Sequence, residues 1–276
     1  MYCGFEHLAS TLWLGEYDGR NLMAMMYTGY FDASGKKHSN KFVTVAGAVA
    51  PVNKWIRFVK DWSAVLSRES VTEFHATDFA SCGGEYAGWT DKKRRAAFLK
   101  DLGALVRRDT NKLFSVTVEV DAWNVVNKKY QLNEYLKSPY ALAGSGAVLL
   151  VRKWARGKEI KTPIKYIFED GDELPDWTGL KALCAKMRTE PSRLSKTEAI
   201  PCQVGDMVGW KVRIAAQNTD RINSKVNPAV FDPKLLEDVL AELRSLDTVM
   251  VRPVDNKILN EDRLVNTCIS NRVPLR

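Results

Sequence analysis

The stretch MYTGYFDASG (26–35), followed after a short polar connector by KFVTVAGAVA (41–50), decides the fold. Aromatic and β-favouring residues fill the first run, and Ser34-Gly35 punctuates it as a turn. The second run is apolar throughout, so the pair predicts a hairpin. Pro51 then opens a helical stretch in which Trp55, Phe58, Val59, Trp62 and Leu66 recur at helical spacing.

Working outward, the segment TEFHATDFASCGGEYAGW (72–89) mixes polar, aromatic and glycine residues and reads as an irregular loop. TDKKRRAAFLKDLGALVRR (90–108) reads as a helix capped by Thr90. LFSVTVEVDAW (113–123) alternates like a strand, and SPYALAGSGAVLLVRKWAR (138–156) is helical with Ser138 as cap and Pro139 at its first position. IKYIFED (164–170) is a short strand ending in acids, and DWTGLKALCAKMR (176–188) is a helix capped by Asp176. KTEAIPC (196–202) reads as a short strand, and QVGDMVGWKVRIAAQN (203–218) as a helix with a carboxylate in its first turn. FDPKLLEDVLAELRSLD (231–247) is a further helix, and 248–276 is polar and loosely patterned.

This order implies an α/β protein with a mixed sheet flanked by helices. No repeat or low-complexity linker divides it, so we expect an N-terminal extension (1–25), one domain (26–220) and a C-terminal helical extension (221–276). Met23, Met25 and Met26 cluster before the first strand. Either the native start lies at one of them, or residues 1–25 form a short helix on the domain edge. N-terminal sequencing of the native protein separates these.

The bulk numbers narrow the function classes. With 276 residues, 45% of them hydrophobic and 27% charged, the chain has the composition of a globular protein rather than a disordered one. A formal charge of +8 is compatible with a phosphate-rich partner and equally with a merely basic surface. The five cysteines are odd in number and no two have CxxC spacing, which argues against a disulfide framework or zinc ribbon and for reduced thiols in the cytoplasm. No apolar run approaches the ~20 residues that cross a bilayer, and the N-terminus lacks the basic region of a signal peptide, so no membrane role is expected.

Three acidic positions share one logic. Asp32 ends an apolar strand, Glu169 and Asp170 end another, and Asp206 starts the helix after a short strand. Strand ends gather at one edge of an open sheet, where binding sites form. Carboxylates converging there repel one another unless a cation neutralises them, and magnesium or manganese suits an all-oxygen site. Each acid also has a plainer reading: Asp32 as a turn residue, Asp206 as a complement to the helix dipole, Glu169-Asp170 as a solvated turn. Glu73, His75 and Asp78 add a second polar group, and a Glu-x-His pair can supply a metal ligand, a general base or a proton shuttle. His75 can equally bond locally in a surface loop. Basic residues in KKRR (92–95), at Arg152, Lys153, Arg156 and Lys158, and at Lys211 and Arg213 could track a phosphate backbone or simply solvate helix faces. Walker, dinucleotide and nucleophile-elbow motifs are all missing.

The runs YFDASG, EFHATDF, IFEDGDE and CQVGDMVGW follow one another over residues 27–216 in a pattern that resembles the family numbered 3800 among the domains of unknown function. Its members are ribonuclease-H-like proteins common in bacteria and their mobile elements. The resemblance implies a mixed five-stranded sheet with helices on both sides. It also implies that Asp32, Glu169 and Asp206 hold one or two magnesium (or manganese) ions, with Glu73 and His75 near the same site. The chain departs from the pattern twice: Ala33 stands where the strand motif has glutamate, and Gly205 where the last-helix motif Gln-x-Ala-Asp has alanine. On this resemblance the expected function is metal-dependent hydrolysis of phosphodiester bonds in RNA or DNA. The rivals are a non-catalytic nucleic-acid- or protein-binding module of a mobile-element or defence system, and a phosphatase-like hydrolase acting on a small phosphate ester.

Overall fold

The computed structural model describes residues 26–35, 41–171, 174–224, 255–261 and 263–265. The opening hairpin forms as its sequence requires. Strand β1 (Tyr27–Ser34) pairs antiparallel with β2 (Phe42–Pro51), with Asp32 opposite Ala46. Helix α1 (Val52–Arg68) follows at once and buries Trp55, Phe58, Trp62 and Leu66. Then come short α2 (Ala76–Ser81), a 3-10 turn (Gly84–Tyr86), α3 (Lys92–Asp109) and β3 (Lys112–Glu119). The chain continues through α4 (Val120–Tyr130), α5 (Leu132–Leu136), α6 (Pro139–Gly157), β4 (Ile164–Glu169) and α7 (Leu174–Lys186). It ends with β5 (Ser192–Leu194), α8 (Cys202–Ser224) and β6 (Asp255–Leu259).

The sheet order is β5-β4-β1-β2-β3-β6. Strand β2 runs antiparallel to both of its neighbours, and the remaining pairings are parallel. The run β3-β2-β1-β4-β5 is the ribonuclease-H-like mixed sheet that the motif order implies, and β6 adds a sixth strand outside β3. Period-2 alternation sorts the strand residues between two cores. Tyr30, Ala46, Ala48 and Ala50 face α1, α3 and α8 with Trp55, Phe58, Trp62, Phe98 and Met207. Phe31, Val45, Val49, Val116 and Phe168 face α4, α6 and α7 with Trp123, Ala147, Val148 and Leu180. The alanines of β2 are the small face, and they let α8 lie close on the sheet.

Several local expectations change. The 72–89 segment holds α2 and a 3-10 turn where the composition suggested only loop, because Phe74, Phe79, Tyr86 and Trp89 pack inward and tie its backbone down. The third strand stops at Glu119, and Val120 begins α4, since Ala122, Trp123 and Val126 follow helical spacing. Asp91, not Thr90, caps α3 by accepting from Lys93 N. Asp176 lies inside the first turn of α7, which starts at Leu174. The strand expected at 196–202 lies earlier, at Ser192–Leu194, and 196–198, 200 and 201 are turn residues. Ser195 turns the chain there, its N and Oγ donating to Glu198 Oε2 at 3.0 and 2.7 Å. Part of the segment expected as a helical extension, Asp255–Leu259, is the strand β6. The extension 1–25 and the helix expected at 231–247 lie outside the described residues.

Candidate functional site

Asp32 is the third residue from the end of β1, on the face shared by Tyr30 and Ser34 and covered by α8. What brings its partner near is Gly205. A Cβ at that position would lie 2.6 Å from Asp32 N, 2.7 Å from Ala46 O and 2.9 Å from Asp32 Cβ. Only a residue without a side chain lets the helix settle onto β1 and β2 at this point. The next residue, Asp206, then stands beside Asp32. Asp206 is the fifth residue of α8 and no acid occupies the helix's first turn, so the helix-dipole reading loses its basis.

The two carboxylates are 4% and 6% exposed. Asp32 Oδ1 accepts from Ala33 N at 2.6 Å. Asp32 Oδ2 accepts no well-directed hydrogen bond among the described residues and faces Lys196 Nζ at 3.0 Å. Asp206 Oδ2 accepts from Ala76 N at 3.0 Å and from Lys196 Nζ at 3.2 Å. One ammonium therefore serves two buried acids. Burial alone would pull the Lys196 ammonium down, but the carboxylates of Asp32, Asp206 and Glu169 outweigh it and hold it above the usual lysine range. Burial pushes the Asp206 carboxyl up, and Asp32 adds to the rise against the opposing Lys196 charge and Ala76 N–H. Cys202, enclosed at the start of α8, is held well above the ordinary thiol range by burial and then by the fields of Asp32 and Glu169. It is a packed thiol, not an activated one.

Glu169 ends β4, the parallel neighbour of β1. Its carboxylate turns over Gly171, where a Cβ would meet Oε2 at 2.8 Å. Its field reaches Lys196 and Cys202. Asp170, by contrast, turns away to pair with Arg193 at 3.0 Å. The structure thus brings Asp32 and Asp206 into contact through Lys196 and leaves Glu169 within electrostatic reach. Among the described residues, no three Asp, Glu, His or Cys side chains converge as a ready ligand set.

The Glu73–His75 segment is anchored to α8 by Gln203. Gln203 Oε1 accepts from Phe74 N and from Trp62 Nε1, both at 2.8 Å. Tyr86 OH donates to Glu73 O at 2.8 Å, and Glu73 N donates to Glu85 Oε2 at 3.3 Å. His75 sits at the N-cap position of α2, its Nδ1 3.0 Å from Asp78 Oδ2. Farther along α8, Arg213 Nε donates to Ser34 Oγ at 2.9 Å and so ties the helix to the end of β1.

Lys196 is the residue that sequence reasoning missed. It lies in a polar turn without a motif, and the signal for it was indirect: two buried acids need a counter-charge. The basic runs divide. Arg94 stacks on Trp89 at 3.8 Å and pairs with Glu69, and Arg95 is buried against Phe79, so half of KKRR serves the core. Arg152 Nη1 donates to Met187 O at 2.5 Å, whereas Lys153, Arg156 and Lys158 on and after α6 are exposed.

The donor chemistry suits a hard divalent cation. The oxygens are carboxylate oxygens, Asp32 Oδ2 is buried without a directed hydrogen bond, and a cationic group, the Lys196 ammonium, already stands between the two acids. Fold and site together define an α/β protein with a ribonuclease-H-like sheet and a buried acid–lysine centre at the β1–α8 contact. No protein-family model matches the chain, and no curated protein matches its sequence. No helix among the described residues is long and apolar enough to cross a membrane.

Proposed function

We propose that this chain is a magnesium- or manganese-dependent nuclease that hydrolyses phosphodiester bonds in RNA or DNA at the Asp32–Asp206 centre. The observation that carries the proposal is the approach of two buried aspartates, from β1 and α8 of a ribonuclease-H-like sheet, to one shared cation position. Its resemblance to the family numbered 3800 among the domains of unknown function supports the same reading. Asp32 and Asp206 would hold the ion, with Glu169 at the end of β4 as the third acid. A bound divalent ion lowers the pKa of a coordinated water and offsets charge on the scissile phosphate.

The chain's own residues do the rest. Gly205 and Gln203 fix the spacing of α8 from β1 and from the 72–75 segment. His75, whose Nδ1 lies 3.0 Å from Asp78 Oδ2, would pass a proton at Nε2. Glu73, on the same anchored segment, would orient a water or the ion. Exposed Lys153, Arg156 and Lys158 would contact the phosphate backbone. A cytoplasmic location agrees with Cys82, Cys184 and Cys202, which form no disulfide among the described residues.

A second reading draws on Lys196, which compensates both aspartates without any metal. The chain would then be a non-catalytic module that binds nucleic acid or a protein in a mobile-element or defence system. Labelled single- and double-stranded RNA and DNA, incubated with the protein and magnesium or manganese, separate the two. The nuclease reading expects cleavage that is abolished by EDTA and by Asp32→Asn or Asp206→Asn. Cleavage that survives both substitutions removes the assignment. Salt-sensitive binding without cleavage favours the module.

A further inference from the structure

We propose that Lys196 is a tethered counter-ion: it holds the cation position of the centre in the metal-free protein and must leave it when a divalent ion enters. This inference rests on the metal-dependent reading above and adds a competitor for the metal that is part of the chain itself.

Three observations support it. The ammonium lies 3.0 Å from Asp32 Oδ2 and 3.2 Å from Asp206 Oδ2, so it stands where a cation bound by both acids has to stand. A magnesium ion sits about 2.0–2.1 Å from its ligand oxygens. It cannot share those two oxygens with an ammonium in place, on grounds of volume and of like charge. Second, the Lys196 side chain is only 14% exposed, and its charge acts on both acids in a region that also feels Glu169. Third, the turn that carries it is held by contacts in which the Lys196 side chain takes no part. Ser195 N and Oγ donate to Glu198 Oε2, and Ala199 N donates to Ser195 O at 2.8 Å. Release therefore needs only rotation of a flexible four-carbon stem, with the turn intact.

The consequence is a centre that stays paired and folded without metal and binds metal more weakly than its acids alone would. Lys196→Met keeps the stem and removes the charge. Titration calorimetry with manganese should show this variant binding roughly tenfold or more tightly than the natural chain, and Lys196→Arg no more tightly than the natural chain. Asp32→Asn combined with Lys196→Met should abolish the gain. If circular dichroism shows that Lys196→Met does not fold without metal, the natural chain supplies the readout. Manganese should raise acetylation of Lys196 by an amine-reactive reagent, followed by mass spectrometry, as the ammonium leaves its shelter.

Equal or weaker manganese binding by folded Lys196→Met overturns the inference, as does unchanged Lys196 labelling in a manganese-saturated protein. Binding in the expected order without cleavage of any polynucleotide sustains the inference and removes the nuclease reading. Cleavage that depends on Asp32 and Asp206, with equal metal binding in both chains, removes the inference alone. No manganese binding by either chain removes both.

Discussion

Gly205→Ala probes the contact on which the site depends. The added methyl would sit 2.6 Å from Asp32 N, 2.7 Å from Ala46 O and 2.9 Å from Asp32 Cβ. Two of these atoms are backbone of paired strands, and none is the movable end of a flexible side chain. Overpacking a filled interior costs about 1–3 kcal/mol. Alanine recovers about 1 kcal/mol over glycine inside a helix. With rigid neighbours the cost falls at the upper end of its range, leaving a net loss of about 2 kcal/mol. For a domain of this size that is about 4–8 °C in melting temperature. The same shift lifts Asp206 away from Asp32, so manganese binding should weaken in parallel. Calorimetry and metal titration on the purified variant give both numbers. A Gly205→Ala protein as stable as the natural chain, or more stable, refutes the close-packing argument.

Gln203→Leu leaves the buried donors Trp62 Nε1 and Phe74 N without an acceptor and should cost about 2–4 kcal/mol. Hydrogen exchange at the Phe74 amide should rise, and an unchanged rate would show that Gln203 does not anchor the segment. Asp109 is fully buried and pairs with Arg57 and Arg108, which are half exposed and can rehydrate. Asp109→Ala should therefore destabilise by about 2 kcal/mol in urea titration, less than a pair buried on both sides. The pH profile follows from Lys196, whose pKa in the fold lies above its ordinary 10.5. A raised lysine pKa stabilises the fold fully below the unfolded value and ceases to do so as pH rises through the folded value. The stability advantage of the natural chain over Lys196→Met should thus hold at neutral pH and decline above about pH 10.5. Asp206 acts in the opposite part of the scale: its carboxyl is raised, so stability falls as pH climbs from the ordinary carboxylate value through the folded one. An Asp206→Asn chain should lose that acid-side slope in metal-free buffer.

Much of the fold was legible because local signals and tertiary demands agreed. The hairpin, the aromatic face of α1, the Ser138-Pro139 start of α6 and the acid-ended β4 all appear where their patterns predict. The differences arise where a tertiary contact outweighs local composition. The glycine-rich 83–88 stretch looks like loop, yet Tyr86 and Trp89 drive it into an aromatic core. Val120 to Val126 continue a β-favouring run but bury a helical face. Strand β5 is only three residues long and half-buried, too short to carry a period. In the site, Asp32 was readable from its place near the end of an apolar strand, whereas Asp206 was read from a strand at 196–202 that is mostly turn in the fold. Their contact depends on the absence of a side chain at Gly205, which shows its reason only once α8 lies on β1 and β2. Lys196 had no signal of its own, because a counter-ion is defined by the charges that fold against it.

The most direct measurement of the central claim is the anomalous scattering of manganese in crystals of the protein soaked with that ion. The expected result is a manganese peak bound by Asp32 and Asp206, with the Lys196 ammonium moved away from both carboxylates. Crystals in which Lys196 still bridges the two acids, and no peak lies beside them at saturating manganese, would contradict it.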